Sequence, residues 1–204
     1  MAVLSQHPLW NIPNLLSLSR LPLAIGLFIC ISYECWGLAL AVFGVAMFTD
    51  WLDGWWARTI GPLTAIGRNL DPLTDKVLIG GAFIYLLLVP RAGLTPGMVT
   101  VIIGRELLIT GLRGIIEATG QTFGADWFGK LKTVLQSAVI IGILLILWLR
   151  TRPEMIEWLT WLEPVQRLLL YCMLAATVGS AVQYVIKAVK LLNASGRSEL
   201  GARP

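Results

Sequence analysis

Six windows of about 20 mostly apolar residues follow one another along this 204-residue chain, and they restrict its folding more than any other feature. They cover residues 15–33, 37–56, 70–89, 96–116, 128–149 and 168–191, separated by turn-like stretches such as 59–67 and 90–95. As a helix, each is long enough to cross a hydrocarbon layer about 30 Å thick. Inside that layer every backbone N–H and C=O must be satisfied within the protein, which favours helices. The sequence therefore predicts an all-α, polytopic integral membrane protein with six transmembrane helices in one domain over residues 1–204. Residues 1–14 are expected to form an interfacial segment on the membrane surface, and residues 193–204 a short polar tail. Composition agrees: the chain is 56% hydrophobic and 14% charged, against about 45–50% and about 25% in soluble domains. Its 20 Gly have no period, and its three Cys cannot all pair, so collagen and disulfide scaffolds are excluded. Cys30, Cys35 and Cys172 read as small apolar fillers.

An even number of spans puts both termini on one side. Arg20, Arg58, Arg68, Arg113, Lys130, Lys132, Lys187, Lys190, Arg197 and Arg203 fall on that side, against Arg91, Arg150, Arg152 and Arg167 on the other. The positive-inside rule then places the termini in the cytoplasm. The net charge of +4 includes no Lys/Arg block of the kind that binds nucleic acid, and suits an anionic membrane face instead. Trp10, Trp36, Trp55, Trp56, Trp127, Trp158 and Trp161 lie near predicted helix ends, where indoles anchor at the interface. The first ten residues hold no Lys or Arg, and no small-residue cleavage site precedes the apolar run, so no removable leader is expected.

Ionisable residues inside membrane spans are costly, and here aspartates are concentrated. Asp50 and Asp53 are spaced i, i+3 near the end of the second window, and Asp71 and Asp75 are spaced i, i+4 at the start of the third. Each spacing puts both carboxylates on one helix face. The short connection allows all four to converge at the cytoplasmic end, where they would repel one another and protonate unless cations intervened. An all-oxygen set suits Mg²⁺ or Mn²⁺ better than zinc, and the one histidine, His7, lies elsewhere.

Gly54 and Ala57, with Gly44 earlier on the helix, leave little bulk beside Asp53, so a ligand can approach closely. Arg58 beyond them can read phosphate oxygens bidentately. Two metals and an arginine point to phosphoryl-group transfer. Two other readings exist: structural pairing of the acids, or a cation-transport site, which more usually lies near the bilayer midplane. Small residues at Gly26, Gly44 and Gly80 predict close helix packing.

Written out, the segment is Asp50-Trp-Leu-Asp53-Gly54-Trp-Trp-Ala57-Arg58, eight residues, Gly67, three residues, Asp71, three residues, Asp75. It closely resembles the signature of the CDP-alcohol phosphotransferases, matching all of its defining positions at the family spacing. The resemblance implies a six-helix membrane protein, usually a homodimer, that moves a substituted phosphoryl group from a CDP-linked donor to an alcohol and releases CMP. It implies that Asp50, Asp53 and Asp71 bind two divalent cations, Mg²⁺ or Mn²⁺, with help from Asp75, and that Asp75 is also the base for the acceptor hydroxyl. Gly54, Ala57, Arg58, Thr64 and Gly67 would line the CDP site, with Asn14 nearby.

Four further stretches extend the likeness over most of the chain: Asn11-Ile-Pro-Asn14-Leu-Leu-Ser-Leu-Ser-Arg20, Asp71-Pro-Leu-Thr-Asp75-Lys76, Gly104-Arg105-Glu106-Leu-Leu-Ile-Thr-Gly-Leu-Arg113 and Gly129-Lys130-Leu-Lys132-Thr133. They are similar to the family branch that joins CDP-diacylglycerol to glycerol 3-phosphate in a bacterial cytoplasmic (inner) membrane, with the active site facing the cytoplasm. Cardiolipin-forming members, which take phosphatidylglycerol as acceptor, share a similar amino-terminal motif. Within the likeness, the acceptor phosphate is expected at cations the signature does not use: Arg105, Arg113 and Lys130. An alternative is that Arg105 pairs with Glu106, and that Lys130 and Lys132 serve only orientation.

Overall fold

The computed structural model describes the backbone of residues 12–59, 65–118 and 127–201, and the side chains of residues 18–52, 73–116 and 131–189. Six α-helices account for nearly all of it: α1 (Ile12–Ser32), α2 (Trp36–Thr59), α3 (Ala65–Leu87), α4 (Pro96–Ala118), α5 (Trp127–Leu149) and α6 (Ile156–Gly201). Short 3-10 turns at Pro90–Ala92 and Pro153–Met155 precede α4 and α6. No strand occurs among the described residues.

The first five helices match the apolar windows to within a few residues. α1 begins at Ile12, three residues before the first window, so residues 12–14 of the expected interfacial segment are helical; residues 1–11 lie outside the described residues. The sixth departs most. α6 starts at Ile156 and runs through Pro164 to Gly201, so residues 156–167 are helical where a connection is expected, and residues 193–201 are helical where a polar tail is expected. The charges Glu157, Glu163 and Arg167 interrupt the apolar pattern without removing any backbone donor, and a helix tolerates them.

Local chemistry explains the boundaries. Gly93 takes a left-handed φ of 73° after the first 3-10 turn, a conformation that glycine adopts without penalty. Thr95 Oγ1 then accepts from Met98 N at 3.4 Å, and Pro96 opens α4, where its missing N–H costs nothing.

The structure comprises two compact units, residues 1–93 with 140–163 and residues 94–139 with 164–204. In the first, α1 packs against α2 and α3 around Ala24, Leu27, Ala39, Phe43, Leu78 and Phe83. Phe28 stacks on Tyr85 with ring centroids 4.7 Å apart, and a Cβ added at Gly81 would collide with the Phe28 ring. Close approach is thus required at Gly81; among the described residues, added Cβ atoms at Gly26, Gly44 and Gly80 would meet nothing within 4 Å. In the second unit, Gln166 Nε2 on α6 donates to the Val139 carbonyl on α5 at 2.9 Å.

Large apolar side chains also point outward, among them Ile25, Ile29, Leu38, Phe48, Ile84, Leu107, Trp158 and Trp161. Such an exterior suits lipid rather than water. By length and composition, the helical stretches Leu131–Leu149 and Pro153–Val189 can each cross a membrane.

Candidate active site

The signature spans two helices joined by residues 60–64. Asp50, Asp53, Gly54, Ala57 and Arg58 lie on the last turns of α2, and Gly67, Asp71 and Asp75 on the first half of α3. Helical backbone through both segments keeps the i, i+3 and i, i+4 pairs on one face each. Asn14 sits in the first turn of α1, the helix on which α2 and α3 both pack. Thr64 lies outside the described residues, as do the side chains of Asn14, Asp53, Arg58, Asp71 and Lys130. Asp50 and Asp75 are both half-buried.

Asp50 has a partner that spacing alone does not indicate. Arg20 on α1 reaches across to it, Nη2 to Oδ1 at 2.9 Å. The Arg20 side chain is 2% exposed and that of Asp50 44% exposed. A buried guanidinium is tolerated when its charge is compensated in this way. Arg20 had a signal in the sequence, a full charge inside the first apolar window, but nothing there identified its partner.

Among the described residues, no three His, Cys, Asp or Glu side chains gather to hold a metal; that set excludes Asp53 and Asp71. The donor chemistry nevertheless fits a hard divalent cation, because all four acidic residues of the signature offer carboxylate oxygens and the Asp50 side chain is 44% exposed.

The expected acceptor residues occupy different environments. Arg113 on α4 is exposed, whereas Arg105 on the same helix is buried. Arg105 Nη1 lies 3.2 Å from Glu106 Oε1, and its guanidinium sits over the Tyr184 ring of α6, 5.7 Å from the centroid. Lys132 on α5, 5% exposed, also donates to Glu106 Oε1. Two cations therefore share one carboxylate. Arg105 Nε and Gln136 Nε2 are buried donors with no hydrogen-bond partner among the described residues, so the cluster holds more N–H groups than its described acceptors satisfy. Gln136 follows Lys132 by one helical turn, on the same face of α5. Neither Lys132 nor Gln136 was expected here; Lys132 reads in sequence as a charge of the cytoplasmic rim.

Comparison with known proteins places these residues in a defined class. Residues 10–188 match the family model for CDP-alcohol phosphatidyltransferase, and the chain belongs to that family. Similar curated relatives include the CDP-diacylglycerol–glycerol-3-phosphate 3-phosphatidyltransferase of Bacillus subtilis, 37% identical over 153 residues, covering 67% of this chain and 78% of the relative. The Escherichia coli K12 protein of the same name is 31% identical over 182 residues, covering 86% of this chain and 93% of the relative. That of Shigella flexneri serotype 5b is 32% identical over the same length.

Proposed function

We propose that this protein transfers the phosphatidyl group of CDP-diacylglycerol to glycerol 3-phosphate, giving phosphatidylglycerol phosphate and CMP in phospholipid synthesis. The observation that carries this reading is the aspartate signature divided between α2 and α3, two helices that share α1 as a packing partner. The similarity to relatives bearing the corresponding name, over most of the chain, supports the donor and acceptor.

Asp50, Asp53, Asp71 and Asp75 hold two divalent cations, Mg²⁺ or Mn²⁺, in this reading. The cations supply Lewis-acid polarisation of the donor diphosphate and stabilise the charge that develops on CMP. Asn14, Gly54, Ala57, Arg58, Thr64 and Gly67 receive the CDP moiety, with Arg58 as a fork for phosphate oxygens. Asp75 takes the proton of the free primary hydroxyl of the acceptor. That oxygen attacks the phosphorus bearing diacylglycerol, the bond from this phosphorus to the CMP oxygen breaks, and CMP leaves with the electron pair. Arg105, Arg113 and Lys130 receive the acceptor phosphate. The Glu106 ion pair uses Nη1 of the Arg105 guanidinium, and its buried Nε has no hydrogen-bond partner among the described residues.

The same reading makes the protein a single six-span domain and a homodimer in a bacterial cytoplasmic membrane, with termini and active site facing the cytoplasm. The apolar exterior of the helices supports a bilayer setting. Purified protein supplied with CDP-diacylglycerol and either glycerol 3-phosphate or phosphatidylglycerol tests the assignment. CMP release with glycerol 3-phosphate is expected. Release only with phosphatidylglycerol would move the enzyme to cardiolipin synthesis, and divalent-cation flux without CMP release would make it a transporter.

A further inference from the structure

Arg20 has the least exposed charged side chain among the described residues, at 2%, and it forms an ion pair with Asp50, one of the expected metal ligands. We propose that Arg20 is a charge-tuning positioning residue of the metal site: it fixes Asp50 through Oδ1, weakens the site's hold on divalent cations, and biases the loaded site toward the anionic diphosphate of the donor. The inference rests on the metal reading of the signature given above.

The argument is one of charge and distance. Four carboxylates and two divalent cations sum to zero, so apart from direct ligation and Arg58 the loaded site offers a diphosphate no net positive charge. Arg20, held 2.9 Å from one carboxylate oxygen, adds a permanent positive charge. Arginine cannot give up that charge by losing its proton. A single charge a few ångströms from a divalent cation, even at an effective dielectric of about 20, changes affinity by more than tenfold. Ordering one carboxylate contributes much less than this. Electrostatics therefore decides the sign: Arg20 opposes metal binding and favours the donor. The structure also shows how one aspartate can serve both partners. Arg20 approaches from the buried side, while the 44% exposed Asp50 side chain leaves the rest of the carboxylate open.

The test uses full-length protein in nanodiscs without substrate, with Mn²⁺ binding followed by electron paramagnetic resonance. Arg20→Gln and Arg20→Met are measured side by side, so that the outcome does not depend on one substitution folding, together with Arg20→Lys, which keeps the charge. Both neutral variants should bind Mn²⁺ at least about tenfold more tightly than wild type, and Arg20→Lys within about threefold of it. In turnover, the neutral variants should raise KM for CDP-diacylglycerol about fivefold or more and leave KM for glycerol 3-phosphate within about twofold. A purely structural role would loosen the Asp50 helix and weaken Mn²⁺ binding, the opposite sign. Unchanged or weaker binding in the neutral variants, or failure of both to fold where Arg20→Lys folds, would overturn the inference and leave the metal reading intact. No Mn²⁺ binding by wild type would overturn the metal reading and the inference together.

Discussion

Lys132 on α5 donates to Glu106 on α4, and the same Glu106 oxygen accepts from Arg105, so two buried cations meet at one carboxylate oxygen. Removing the carboxylate leaves two like charges close together in an apolar setting, whereas removing Lys132 still leaves Glu106 its bond to Arg105. Glu106→Ala should therefore cost about 3–5 kcal/mol of stability, the range for breaking a buried pair, and Lys132→Met clearly less. Thermal unfolding of the two variants in the same detergent checks the order.

A base needs its carboxylate, and an amide of the same shape cannot substitute. Asp75→Asn should lower turnover by about 10²–10⁴-fold while CDP-diacylglycerol still binds. Turnover in reconstituted vesicles, with donor binding measured in parallel, checks both halves. Near-normal turnover would remove Asp75 from the base role.

Arg113 is exposed on α4 and, in sequence, Lys130 begins the run that leads to buried Lys132. If they receive the acceptor phosphate, Arg113→Ala and Lys130→Ala should each raise KM for glycerol 3-phosphate by about tenfold and change KM for CDP-diacylglycerol by less than about twofold. Equal effects on the two substrates would argue against this acceptor site.

Gly81 and Gly80 are neighbours with opposite surroundings. A methyl group at Gly81 enters the Phe28 ring, itself stacked on Tyr85, while one at Gly80 meets nothing within 4 Å among the described residues. Gly81→Ala should destabilise by about 1–3 kcal/mol through overpacking. Gly80→Ala should be neutral or slightly stabilising, since alanine is the better helix former. Unfolding midpoints of the two variants provide the comparison, and Phe28→Leu should recover part of the loss at Gly81.

Much of this arrangement is legible in the sequence, for identifiable reasons. The helices α1 to α5 follow from apolar windows bounded by Gly, Pro and polar residues, because length and hydrophobicity leave few alternatives. α6 was read as too short at both ends: Glu157, Glu163 and Arg167 break the apolar pattern, but helical hydrogen bonding depends on the backbone, and Pro164 is accommodated. The aspartate signature was legible because its chemistry lies in spacing along two helices. Its link to Arg20 was not, since that pair joins separate helices and is set by packing. The partner of Lys132 is hidden in the sequence for a similar reason. Position near a helix start suggested an interfacial charge, while the fold turns it toward Glu106.

The most direct test of the central claim is to reconstitute the purified protein with CDP-diacylglycerol and labelled glycerol 3-phosphate, with and without Mg²⁺, and to follow labelled lipid and CMP together. The account predicts that both appear in equal amounts, and only when the divalent cation is present. Labelled lipid formed equally well after the cation has been chelated, or no CMP with any alcohol acceptor, would contradict it.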